Sequence, residues 1–404
     1  SRIKHKGRVV SARFSPDGRL VMTASYDRSV QVVEAAPGKE FARVARGGPT
    51  NSPQFSPDGR LVATASADGT ARVIEAETGR ELARMEHDGW VRGARFSPDG
   101  RLVATASDDR TARVFEALSG RERARIAHGN WVTSARFSPD GRWIVTASAD
   151  KTARVIEAVT GRELTRVDHG AWVTSASFSP DGTWIVTASM DGTARVVEVA
   201  TGRELSRVEH ASPVNSARFS PDGRRIVTAA TDKTARVIEA VTGRELTRIE
   251  HDGDVLSAVF SPDGRLVATR SADWTARVCE AATGRELARI QHHSGVVNSA
   301  QFSPDGNRVV TGSDDTTARI WNLAPAIHSV ADLVLMSQLM TGEILDPNSS
   351  ATLQQCWTNL FSRYPSNFSR SPADLQAWSR RKAQLAAVGA HQAAEAAENQ
   401  EDWT

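Results

Sequence analysis

The stretch TARVIEAETGREL, residues 70–82, decides how this chain folds. ARVIEA and the ELARM that follows are β-rich runs, and ETGR between them is a turn in which glycine gives a tight reversal its conformational freedom. Reading backwards from Thr70, ADGT is a second turn and LVATA a second strand. Before that strand stands FSPDG, in which proline sets φ and glycine accepts the positive φ that closes a hairpin. One unit is therefore four short strands joined by three tight turns.

The unit recurs. FSPDG begins at Phe14, Phe55, Phe96, Phe137, Phe178, Phe219, Phe260 and Phe302, a spacing of 41 residues with one final step of 42. A fixed period of this length signals a repeat architecture. A four-stranded sheet cannot bury both faces alone, whereas copies stacked radially bury each against its neighbours; this explains why Val, Ile and Ala fill the strands. The reading is an all-β fold, a β-propeller of eight blades.

Composition narrows the function. The 404 residues carry 50 Lys and Arg against 48 Asp and Glu, so no global basic field favours nucleic acid or an anionic membrane. Cys279 and Cys356 cannot build a disulfide framework, and no apolar run reaches the length of a membrane span. A reducing, cytoplasmic setting is expected. Ser1 is not an initiator methionine, which leaves open what precedes it.

The period, a His ahead of the first strand and an Asp in the second hairpin together resemble the WD40-repeat family, over residues 1–323. The eighth unit ends at TARIWNL without a fourth strand, while the chain begins with SRIKH, which matches the fourth-strand endings ARIQH and TRIEH. Residues 1–4 are expected to complete the last blade and clasp the ring. Seven blades is the alternative to eight if repeats are missing ahead of residue 1.

Each unit places a His nine residues before its phenylalanine: His5, His87, His128, His169, His210, His251 and His293, with Arg46 in the second unit. An Asp follows each second strand, and a Ser stands two residues before most of these. Ser, His and Asp are the cast of a hydrolase triad, but a nucleophile needs one activated site with an oxyanion hole, and this set recurs in nearly every unit. No catalytic residue is assigned, and the chain is read as not an enzyme. The resemblance implies instead a structural network in which His bridges Asp and Ser and a third-strand Trp completes the chain. That role falls to His87, Ser107 and Asp109; His128, Ser148 and Asp150; His169, Ser189 and Asp191; and His293, Ser313 and Asp315 with Trp321. Elsewhere the Trp position holds Val33, Ile74, Phe115, Ile156, Val197, Ile238 or Cys279, an apolar plug without the indole donor.

Function should sit where the repeats disagree. The resemblance places the loops before the first strand and in the second hairpin on one upper face. The variable positions there bring Trp90, Trp131 and Trp172 into three successive blades, with Arg92, Asp108 and Met190 among them and Arg8 and Tyr26 on the first blade. Trp and Arg are the residues most enriched in binding hot spots. A protein or peptide partner is expected on this face, with no nucleic acid and no membrane. No phosphate loop or Cys/His pattern calls for a cofactor or metal. Residues 324–404 change to a helical pattern: SVADLVLMSQLMTGEIL opens at a Ser cap, and ATLQQCWTNLFSRY has a 3–4 apolar period. This tail is similar to those after bacterial WD40 regions. The leading reading is a non-catalytic interaction scaffold; the alternative is a sensor or regulatory region controlling an ATPase, kinase or protease in bacterial signalling or defence.

Overall fold

The structure, a computed structural model, describes residues 2–36, 38–292 and 295–323. The helical reading of 324–404 and the assignment of His293 lie outside the described residues. Among the described residues are 32 strands in eight four-stranded antiparallel sheets, and no helix. Blade three is typical: Val91–Phe96, Leu102–Ser107, Thr111–Glu116 and Glu122–Ala127 follow one another from axis to rim. The FSPDG turns surround one mouth of the axial channel, here the lower, and the His and Asp loops form the upper face.

The SPDG turn is stapled by its own side chains. Ser97 Oγ donates to Asp99 Oδ1 and accepts the Leu102 N–H at 2.9 Å, while Gly100 takes a φ of 73°. The core lies between blades. Ala104, Val114 and Ile126 of blade three pack on Val132, Ile144 and Ile156 of blade four, so the plug at the vacated Trp position faces the preceding blade. Stiff β-branched side chains suit this surface. At the junction of blades seven and eight, Arg270 stands where other blades carry a buried alanine such as Ala106 or Ala229, and nothing in the structure explains it.

The eighth sheet is assembled from both ends of the repeat region. Arg2–Lys4 pairs antiparallel with Thr317–Asn322, with Ile3 opposite Ala318. Ile3 is buried among Val9, Ala12, Val21 and Val33 of blade one and Val310 of blade eight. Blade two departs from the pattern. Its first strand shrinks to Gln54–Phe55 plus a bridge from Thr50 to Ser66, because Pro53 has no N–H and proline is tolerated only at such a sheet edge.

Candidate functional site: the upper face of the ring

In blade three the His87 Nδ1–H donates to Asp109 Oδ2 at 2.7 Å, and the Thr105 hydroxyl donates to His87 Nε2 at 2.8 Å. The carboxylate acceptor sets the tautomer. The same His–Asp and His–Thr contacts recur in blades one and four to seven, with Nδ1 to carboxylate distances of 2.8–3.1 Å. The histidine therefore bridges Asp and Thr, not Asp and Ser. Thr105 and Ser107 share a strand face, but only the threonine lies level with the ring. Ser107 instead donates to Gly89 O at 3.2 Å and accepts the Asp109 N–H at 3.1 Å. Ser148, Ser189 and Ser313 do likewise. The network reading of these serines is corrected accordingly.

Blade eight needs a second correction. His292, not His293, donates to Asp315 at 3.0 Å and accepts from Thr311 at 2.8 Å. The extra residue of this unit lies after the network histidine, so counting back from Phe302 selects its neighbour. Here alone Trp321 Nε1 donates to Thr311 Oγ1, at 2.9 Å. In blade two Arg46 replaces the imidazole and donates to Thr64 Oγ1 at 2.6 Å.

A further member of the network was missed from sequence. The arginine of each TAR triplet pairs with the hairpin aspartate, as in Arg113 to Asp109 at 2.7 Å, Arg154 to Asp150 at 3.1 Å and Arg236 to Asp232 at 2.8 Å. Its signal was present: the Arg stands four residues after the Asp in seven units, with Gln31 the exception. Each aspartate thus joins the loop before the first strand, the second hairpin and the third strand.

The variable positions sit above this frame. Arg92 grips Asp108 with two N–H groups, Nη2 at 3.2 Å from Oδ2, and its guanidinium lies over the Trp131 ring at 5.1 Å. Trp131 meets Trp172 edge-on, centroids 5.1 Å apart, and the Met190 N–H bonds the Trp172 carbonyl at 2.8 Å. Blades three to five therefore carry one continuous cluster. Trp90 is 58% exposed, Trp172 44% and Met190 40%. The Trp90 carbonyl accepts the Asp108 N–H at 2.9 Å. Arg8 lies over Tyr26 at 4.1 Å on blade one, separated from this cluster by blade two. Neighbouring positions have structural duties: Thr133 and Thr174 donate to the Val173 and Val214 carbonyls of the next blade, at 2.9 and 2.8 Å. Trp274 is half exposed with a left-handed φ of 69°, a conformation costing about 1 kcal/mol for a residue with a Cβ.

The family described as "IFT122 first beta-propeller" matches residues 49–322, and "WD domain, G-beta repeat" matches residues 2–33. The chain belongs to the WD40-repeat β-propellers. Among solved structures it is similar to the computationally designed Ika8 protein, at 26% identity and a TM-score of 0.71, over 79% of this chain and 97% of that one. No curated protein matches it. WD40 propellers are generally non-catalytic and typically serve as scaffolds for protein interaction. Among the described residues no helix is long and apolar enough to cross a membrane.

The electrostatics of this WD40 network predict its response to acid. Burial, outweighing the neighbouring carboxylate, holds the imidazoles of His5, His87, His128, His169, His210 and His251 below their ordinary value. Burial alone would raise the Asp109 carboxyl, but hydrogen bonds from Thr111 and His87 outweigh it and hold it at about 2. Both shifts have the same sign of consequence. The unfolded chain takes up protons on its histidines near pH ~6.5, and on its aspartates near ~3.9, that the folded chain refuses. The urea midpoint should fall steadily from pH ~7.5 to ~5.5 and again below pH ~4. A flat profile across the first interval would show that the histidines are not held neutral by burial.

Proposed function

We propose that this protein is a non-catalytic scaffold that binds a protein or peptide partner through the upper face of blades three to five. The observation that carries this reading is the contiguous run from Arg92 over Trp131, which meets Trp172 edge-on, flanked by exposed Trp90 and Met190. Asp108 neutralises Arg92, so the cluster offers aromatic area without net charge and suits an apolar or aromatic anchor better than a polyanion. Arg8 and Tyr26 form a second, smaller contact on the same face. The cytoplasm suits a chain with so few cysteines. A regulatory role in bacterial signalling extends the same reading and rests on the sequence pattern of the tail.

Trp90, Trp131 and Trp172 replaced together by alanine should abolish capture of partners from native lysate, because loss of two or three hot-spot aromatics costs roughly 2 kcal/mol or more each. Leu118, Val159 and Val241, exposed on the hairpins between third and fourth strands, are the control triple. The same proteins captured by the tryptophan triple and the wild type would reject the upper-face site.

A further inference from the structure

The first strand of each blade faces the axis, and the residue just before each FSPDG phenylalanine reaches the channel near its lower mouth. Four of the eight blades carry arginine there: Arg13, Arg95, Arg136 and Arg218. Arg95, Arg136 and Arg218 line a cavity of about 690 Å³ with Gln54 and Gln301, and no Asp or Glu lines it. Among the described residues none of the four guanidiniums pairs with a carboxylate, in contrast to the network arginines Arg113 and Arg154. Arg95 donates to Ser52 Oγ at 3.2 Å. The Nε groups of Arg13 and Arg136 and the Ser177 hydroxyl are buried without a protein partner. Enclosure, and then repulsion by the other arginines, push the Arg95 and Arg136 guanidiniums well below their ordinary range. An arginine does not relieve such repulsion by giving up its proton. A counter-anion relieves it.

We propose that the lower mouth of the channel binds a small anion carrying several phosphate groups. The planar fork of each guanidinium matches a phosphate edge, with charge-assisted hydrogen bonds about twice as strong as neutral ones. The four charges occupy the same position in blades one, three, four and six, so they form one layer converging from several sides of the ring. A compact multivalent anion reaches several at once, whereas a monovalent ion leaves most of the repulsion in place and an extended acidic peptide carries its charges out of the layer. The volume falls within the range of small-molecule sites, and the neutral positions of the wall are polar at Gln54, Ser177 and Gln301 and apolar at Val259. This site lies at the opposite mouth from the tryptophan cluster and is independent of it.

The test is calorimetric titration of the full chain with tripolyphosphate, against sulfate at matched ionic strength. One tripolyphosphate per chain is expected, binding at least about tenfold more tightly than sulfate, with a higher melting temperature. The triple variant Arg95→Gln, Arg136→Gln, Arg218→Gln should weaken binding by about 30-fold or more, yet melt no lower than the unliganded wild type because it loses like-charge repulsion. If the triple variant does not fold, Arg136→Gln alone should weaken binding by about tenfold. Adenosine triphosphate in parallel distinguishes a nucleotide from an inorganic chain as the source of the phosphates, according to which binds more tightly. No saturable binding of tripolyphosphate, unchanged affinity in the variants, or tighter binding of hexaglutamate would each overturn the proposal.

Discussion

Asp109→Ala is expected to destabilise the protein by about 3–5 kcal/mol, read from the urea unfolding midpoint. Its side chain is 5% exposed and accepts from His87 Nδ1 at 2.7 Å, Arg113 Nη2 at 2.7 Å, the Thr111 N–H at 2.9 Å and the Thr111 hydroxyl at 2.6 Å. Alanine leaves a guanidinium that is 7% exposed without its nearest carboxylate, and a fully buried imidazole without its acceptor. The cost is the desolvation of groups left unpaired, which exceeds the net worth of the bonds themselves. Asp68→Ala in blade two is the internal comparison. No imidazole depends on Asp68, its Arg72 lies 3.5 Å away, and both side chains are about 15% exposed. A loss about half as large is expected there. Equal losses would show that the His–Asp bond adds nothing to the Arg–Asp pair.

Ile3→Asp should cost about 3–5 kcal/mol as well, through a different mechanism. Burial of an isoleucine contributes about 1.5–3 kcal/mol, and a carboxylate in its place has no partner between blades one and eight. The strand must either bury that charge or detach. Detachment leaves the Thr317–Asn322 edge unpaired and leaves blades one and eight held only by direct contacts such as Ala12 N–H to Ser299 Oγ and Asn298 Nδ2–H to the Val9 carbonyl, among the described residues. Lys4→Asp tests the alternation, since Lys4 and Arg2 point to solvent on either side of Ile3. It should change stability by less than about 0.5 kcal/mol. If both variants unfold at the same denaturant concentration, Ile3 does not hold the ring closed.

The parts of this architecture that depend on near neighbours were legible in the chain. Turn residues at fixed offsets and alternating strands are local properties, so the blade and its eight copies follow from the FSPDG period. The partner of each histidine was half legible. The constant interval of 22 residues to the aspartate points to a contact, but Thr105 and Ser107 lie on one strand face and only the depth of the ring selects the threonine. In blade eight two adjacent histidines satisfy almost the same count, and hydrogen bonding to Asp315 selects His292. The network arginines were hidden because a surface Arg on a strand normally reads as solvated, and the missing information was the carboxylate opposite.

Residues 70–82 and their copies thus determined on their own the strand, the turn and the count of repeats, because each requires only the chain's immediate geometry; that these repeats close as eight blades rests on the pairing of Arg2–Lys4 with Thr317–Asn322. Their apolar third-strand plugs already implied a packed contact with another blade. Tertiary structure alone decided which side chains meet above and inside the ring. Trp131 and Trp172 stand 41 residues apart and touch through adjacent blades. Arg13 and Arg218 are more distant still and share one channel. Closing eight sheets about an axis converts a repeat interval along the chain into a short distance in space, and that distance sets both the aromatic cluster and the ring of unpaired charge.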